Sequence, residues 1–374
     1  MINKAFFGNA KEVAESKGIS VQDVYDNFAK GLVNSFKKIY GHSSCKVDIN
    51  PEKNEILLYG VYQVVDELPT EEELENEELD EEEENPIAKI TLAEAKAIKS
   101  SAKVGDIITK QENIKNLSRT AIGAVKSVYT QGMRTRQREI AYEHFKELEN
   151  EMVIAEVTNI TDKYITLNLG YNVVTSLPVS EKLANDNFEI GDNIRVYIKK
   201  VEQTSKDPKV SVSRSDRNLV TRLMENYIPE IKSGIIEIKG IARDPGDRSK
   251  IALFSNDPQV DAIGSCVGTG GERIKKIVDA LGGEKVDLYK WDENPEELIK
   301  NSLQPASVTA VLEVNVKDKT SKVVVPDEQL SLAIGKSGQN VRLAVQSCGW
   351  KIDIMPTSEA YEKGLLKLFN IDNE

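Results

Sequence analysis

The 374-residue chain is poor in the residues from which most enzymes build their chemistry, with two histidines, three cysteines, two tryptophans and only 6% aromatic residues. His42 and His144 have no neighbouring Cys or His partners, which leaves little basis for a structural metal site or for histidine-based catalysis. They are expected at the surface, near helix ends. Cys45, Cys266 and Cys348 share no short spacing and read as reduced core thiols of a cytoplasmic protein. No apolar run approaches the ~20 residues of a membrane span, and no secretory apolar segment follows the start Met-Ile-Asn-Lys. The sequence therefore predicts no catalytic residues, metal, cofactor or membrane partner.

What the chain has in excess is negative charge, −12 overall, but the charge is segregated. Residues 66–84 carry thirteen Asp or Glu and no Lys or Arg, and the remainder of the chain has a net charge of +1. With few apolar residues and no aromatics, this run is expected to form a flexible acidic insertion over 66–85. From Arg195 to Lys250 thirteen basic residues face eight acidic ones, a local net of +5. Overall acidity thus does not exclude a polyanionic partner. If about five phosphates were neutralised on this band, log K would fall with log salt at a slope near −3.5 on a single strand.

One pattern occurs twice, as Ile263-Gly-Ser-Cys-Val-Gly268-Thr-Gly-Gly271-Glu-Arg-Ile-Lys-Lys-Ile277 and Leu330-Ser-Leu-Ala-Ile-Gly335-Lys-Ser-Gly338-Gln-Asn-Val-Arg-Leu-Ala344. In each, an apolar helical segment runs into GxxG, a second helical pattern starts at once, and a strand follows (Glu284–Leu288; Trp350–Ile354). Gly335-Lys336-Ser337 is not the end of a P-loop, because the first glycine of that motif would fall on Leu330. A dinucleotide fingerprint fails too, since Arg273 stands where its last glycine belongs. Helix, GxxG, helix, strand resembles the KH fold, whose glycine loop lets a single-stranded nucleic acid lie against helix N-terminal amides. A helix and a strand hairpin precede each copy, giving the α-β-β-α-α-β order of a type II KH domain. Candidate RNA-binding residues are Gly268, Thr269, Gly270 and Gly271 with Arg273, Lys275 and Lys276 in the first copy. In the second they are Gly335, Lys336, Ser337 and Gly338 with Gln339, Asn340 and Arg342.

Upstream, Ser20-x-x-Asp23 reads as a capping box opening a helix with Val21, Val24, Tyr25, Phe28, Leu32, Phe36 and Ile39 on one face. Strands are expected at Val47–Ile49 and Ile56–Val65, and helical periodicity over Thr91–Ala102. Further helical patterns run through Ile114, Leu117, Ala121, Val125 and Val128, then past Arg134, Arg136 and Arg138 to Leu148. Between Glu151 and Ser213 the period changes to five short alternating runs, expected to close as a small barrel of OB type. Tyr164, Tyr171, Tyr197, Arg195, Lys199 and Lys200 could serve such a barrel as stacking and phosphate groups or as core; Arg243 and Arg248 extend the basic band.

This order, together with Ile251-Ala-Leu-Phe-Ser-Asn-Asp-Pro-Gln-Val-Asp261, Leu281-Gly-Gly-Glu-Lys-Val-Asp287 and Val325-Pro-Asp-Glu-Gln-Leu-Ser-Leu-Ala-Ile-Gly335, closely resembles the NusA family of bacterial transcription factors over nearly the whole chain. The resemblance implies a multidomain α+β protein. Its parts would be an N-terminal RNA polymerase-binding domain (1–148), an OB barrel of the S-one type (149–214), a first KH domain (215–303) and a second KH domain with tail (304–374). It implies a monomer that binds core RNA polymerase, single-stranded nascent RNA and other Nus factors, and acts in pausing, termination and antitermination. Ending at Glu374, the chain is expected to lack the acidic C-terminal repeats of some relatives. Its acidic run is long for such an N-terminal domain, and neutral Thr269 and Gly270 stand where the family commonly has a basic residue. Polynucleotide phosphorylase also joins KH and barrel modules, but its two large catalytic domains have no room here. The alternative is a ribosomal or ribosome-assembly KH protein, which would lack the polymerase-binding unit. Deleting Asp66–Glu84 is expected to leave the thermal unfolding transition unchanged, because the run has too few apolar residues to give a core. A collapsed transition on calorimetry would contradict this.

Overall fold

The computed structural model describes residues 2–40, 42, 44–68, 87–113 and 119–366, and the chain separates into two compact units, Met1–Glu143 and His144–Glu374. Most of the acidic run, together with Ile114 and Leu117, lies outside the described residues.

In the first unit, helix Val21–Tyr40 starts where the sequence predicts, with the Ser20 hydroxyl accepting from the Asp23 amide at 3.0 Å and the Asp23 carboxylate accepting from the Ser20 amide at 3.1 Å. Val24, Tyr25, Leu32 and Phe36 are buried as expected, whereas Ile39 is exposed. Helix Ile2–Lys17 was not anticipated; it packs Phe7, Ala10 and Ala14 into the same core. Beyond it, one continuous 29-residue helix, Arg119–Glu147, replaces two expected helical segments. It crosses Val21–Tyr40 closely. A Cβ on Gly31 would lie 2.9 Å from the Val125 carbonyl oxygen, and one on Gly132 would lie 1.8 Å from the Asn27 side-chain oxygen.

The sheet of this unit has β2 (Glu55–Val65) at its centre, antiparallel to β1 (Cys45–Asn50) and β4 (Ile107–Glu112) and parallel to β3 (Ala88–Thr91). Helix Leu92–Ile98 is shorter than its periodicity suggested and is opened by a capping box between Thr91 and Glu94. His42 is half-buried against Phe36 and Tyr62, not at the surface, and this burial holds its pKa below the usual value.

The second unit begins with an antiparallel five-stranded sheet in the order β7-β6-β5-β8-β9. Its strands are β5 (Met152–Ile160), β6 (Tyr164–Gly170), β7 (Val173–Pro178), β8 (Asn193–Glu202) and β9 (Lys209–Ser213). The Thr175 hydroxyl donates to the Val210 carbonyl at 2.5 Å, drawing edge strands β7 and β9 together into a nearly closed OB barrel. Tyr171 and Asn172 both have positive φ and form the β6–β7 turn.

Two three-stranded sheets follow. In the first, β10 (Ile236–Asp244) is antiparallel to β11 (Arg248–Ser255), which runs parallel to β12 (Lys285–Lys290). In the second, β13 (Ala310–Asn315), β14 (Thr320–Val325) and β15 (Lys351–Pro356) repeat that topology. Helices Arg217–Tyr227 and Pro295–Ser302 precede the hairpins, the latter capped by Asn294 with Pro295 at its first position. These are two type II KH folds.

The first KH sheet packs its outer face on the helices of the second, where Ala252 and Tyr289 share a core with Leu298, Ile299, Leu303 and Ala344. Contact is closest at Gly240, where a Cβ would sit 1.9 Å from the Ser347 carbonyl oxygen. Lys250, 1% exposed, donates to the Ser302 and Gln304 carbonyls at 2.8 and 2.6 Å and so satisfies the C-terminal end of helix Pro295–Ser302. Burial pulls the Lys250 pKa down to about 8 from an ordinary 10.5. Between those values the unfolded chain holds the proton and the folded chain does not, so stability contributed by this group rises with pH through the window. Urea unfolding of wild type and Lys250→Met across about pH 8 to 10.5 should show the difference moving in favour of wild type as pH rises. A flat difference would contradict the assignment.

Candidate nucleic-acid interface

The two glycine loops adopt one backbone path. Gly268 and Gly335 have φ/ψ of 75°/172° and 76°/171°; Gly270 and Ser337 have 62°/17° and 52°/30°; Gly271 and Gly338 have 78°/14° and 75°/14°. Three positive φ values in four residues explain the glycines. Ser337 is the exception. Its left-handed conformation costs about 1 kcal/mol or more, and it shows that an L residue fits the position of Gly270.

The glycines within each loop have different work. A Cβ on Gly268 would lie 2.8 Å from Cγ of Arg273, and one on Gly335 would lie 2.7 Å from the Asn340 amide nitrogen, so the first glycine admits the following helix. A Cβ on Gly271 or Gly338 would meet nothing within 4 Å. That open side leads to the N-termini of helices Glu272–Ala280 and Gln339–Cys348, whose first amides favour an anion. The leading helices are Ala262–Val267, capped by Asp261, and Leu330–Ile334; Pro326 precedes a short 3-10 turn ahead of the latter and is not its first helical residue.

Few of the expected cations are free. Arg243 has a side chain 2% exposed and forks onto Glu284, a fully buried carboxylate that also accepts from the Gly246 amide and the Ser249 hydroxyl. Arg248 pairs with Asp287 and Lys199 with Glu181, at 2.7 and 2.8 Å. Lys200 pairs with Glu202, and Arg214 with the buried Asp186. Tyr197 is core, its hydroxyl between Asn150 and Asn218, so it is no stacking platform. Arg195 is half-buried over the Tyr227 ring, 5.7 Å from its centroid. The band of +5 is largely neutralised by acids that lie elsewhere in the chain, such as Glu181, Asp186, Glu284 and Asp287. Tyr164 and Tyr171 remain exposed on the barrel, Tyr171 stacked on His144 at 4.1 Å.

At the loops, Thr269, Gly270, Lys275, Lys276, Lys336 and Ser337 are exposed, and among the described residues these three lysines have no ion-pair partner. Arg273 is tied to Glu230, and Asn340 is 7% exposed with its amide on backbone carbonyls. Gln339 donates to Asp244 and Asp247 at 3.0 and 2.6 Å, and Arg342 pairs with Asp244 at 2.5 Å. Along the chain, the second loop's helix start carries no negative charge, Gln339 and Asn340 being neutral. The fold brings two carboxylates from the β10–β11 turn of the first KH domain against it. Each loop thus has an acid beside its helix start, Glu272 in the first and Asp244 with Asp247 in the second.

An OB barrel followed by two KH folds with paired, open glycine loops defines a multidomain protein built from RNA-binding folds. Family models match in the same order: the NusA N-terminal domain over residues 5–139, the NusA-like first KH domain over 214–291 and the NusA-like second KH domain over 295–362. The chain belongs to the NusA family. It is 38% identical over 98% of its length to the transcription termination/antitermination protein NusA of Halalkalibacterium halodurans, 92% of which is covered. The proteins of the same name from Bacillus subtilis (38% identity, 94% of this chain, 90% of the relative) and Thermus thermophilus (34%, 94%, 89%) are similar over comparable spans.

With about three loop cations for phosphate, the salt slope should be near −2, shallower than the basic band alone suggests. Lys336→Ala should weaken binding and reduce that slope by about 0.7. Asp247→Asn should tighten binding by removing a carboxylate from the second loop. Gly270→Arg, on a backbone that Ser337 shows to be accessible, should tighten it by about 1 kcal/mol. Anisotropy titrations of one single-stranded RNA over a salt series measure all three; an unchanged slope for Lys336→Ala or weaker binding by Asp247→Asn would reject this picture of the loops.

Proposed function

We propose that this protein is a transcription elongation factor that binds core RNA polymerase through its N-terminal domain and single-stranded nascent RNA through its KH loops. In this reading it modulates pausing, termination and antitermination in the cytoplasm as a monomer, together with other Nus factors. The working division is 1–148 for polymerase, 149–214 for the barrel, and two KH domains that we divide ahead of helix Pro295–Ser302 instead of at 303/304, because that helix packs in the second KH core. The observation that carries the RNA half is the repetition of one loop path, with open final glycines, in both KH folds. The name and near full-length similarity of the relatives support the transcription half. Because the barrel's named cations are paired or half-buried, the reading gives phosphate contact to the loops and leaves the barrel Tyr164 and Tyr171 as its exposed rings.

The test is a reconstituted transcription reaction with the full chain, core polymerase and a template carrying a pause and a hairpin terminator. The protein should co-purify with core polymerase and lengthen the pause. RNA affinity without polymerase binding would favour the ribosomal alternative.

A further inference from the structure

The residue two positions after the last glycine of each loop is Arg273 in the first KH domain and Asn340 in the second. Their side chains differ in charge, length and shape, yet both reach back across the loop as N–H donors. Arg273 Nη1 donates to the Ser265 carbonyl at 2.7 Å, and Asn340 Nδ2 donates to the Leu332 and Ala333 carbonyls at 3.4 and 3.0 Å. Ser265 and Leu332 are equivalent, each three residues ahead of the first glycine of its loop. From there each side chain goes on to a third element. Arg273 reaches both oxygens of Glu230, on the short helix Pro229–Lys232, at 3.0 and 2.8 Å. Asn340 reaches the Leu303 carbonyl, just after helix Pro295–Ser302, at 3.1 Å.

We infer that Arg273 and Asn340 are positioning residues that staple the glycine loops, holding the leading helix, the loop and the following helix in one geometry, and that neither contacts phosphate. The first glycine belongs to the same device. Its missing side chain is the space the base of the staple residue occupies, as the 2.8 Å approaches of Arg273 Cγ to Gly268 and of Asn340 Cβ to Gly335 show. Leading helices of six and five residues end in carbonyls that have no further turn to receive them, and the staple supplies their donor. An anion-binding loop held in its bound shape loses less conformational freedom on binding, so the staple raises affinity without touching the ligand.

This inference rests on the RNA-binding reading above, and the two fail differently: a wild-type chain that does not bind single-stranded RNA fails that reading before any variant is made. The variants are Arg273→Met, which keeps the stem and loses the donors, Arg273→Lys, which restores one, and Asn340→Ala. Each is made in the full chain and titrated against a labelled unstructured RNA over a salt series, with hydrogen exchange followed at the Gly271 and Gly338 amides, which are bonded to Gly268 and Gly335. The expected result is a loss of about three- to tenfold in affinity for Arg273→Met and Asn340→Ala. The slope on log salt should be unchanged, exchange at the matching loop amide faster, and Arg273→Lys partly restored. A slope reduced by about 0.7 would identify a phosphate contact and overturn the inference. Unchanged affinity would overturn it as well. So would global unfolding of both donor-deleting variants, which would show these residues holding the domain and not the loop.

Discussion

The C-terminal half of this protein depends on a crossing without side chains at Gly240. The second KH domain lays helix Gln339–Cys348 against β10 so closely that the Ser347 carbonyl occupies the space of a β-carbon. Overpacking at such a contact costs about 1–3 kcal/mol where neighbours can shift, and here the neighbour is backbone, the carbonyl of the buried Ser347. Around it, Lys250 caps the end of a helix in the other domain, Tyr289 donates to Ser347, and Ala252 gives its face to the second domain's apolar residues. Two folds that look like beads in sequence are one packed body.

Glu284 performs the comparable task in the first KH domain alone. Buried completely, it gathers Arg243, the Gly246 amide and the Ser249 hydroxyl, and so fixes the β10–β11 turn. That turn carries Asp244 and Asp247 to the second loop. A buried carboxylate left without such donors would be strongly destabilising, so the position of these two surface acids is set by a group that never meets solvent. The electrostatics of one glycine loop are therefore governed by its neighbour's core.

What was legible in the sequence follows the range of the interactions. The loops and the Ser20–Asp23 capping box are encoded within a few residues, and each is found where its pattern stands. The five barrel strands and both strand hairpins were likewise visible as changes of period. Charge was not. Arg243 and Glu284 stand 41 positions apart and Lys199 and Glu181 stand 18 apart, so a running count along the chain registers a positive band that the fold neutralises. Asn340 and Arg273 looked like ligand-facing residues for the same reason: proximity to a motif says nothing of the direction in which a side chain points. Helix Ile2–Lys17 did carry a readable spacing, Phe7, Ala10 and Ala14, but no capping residue marked its start.

Since the two KH folds cannot slide or rotate against one another without opening the contact at Gly240, the separation of their loops is a constant of the molecule. A strand held by one loop meets the other at an effective concentration set only by its own reach and stiffness, with no entropy lost in a protein linker. On the proposed RNA-binding reading, segments too short to span both loops would bind at one or the other and those long enough would bind at both, which makes the length of exposed RNA a variable this body can register.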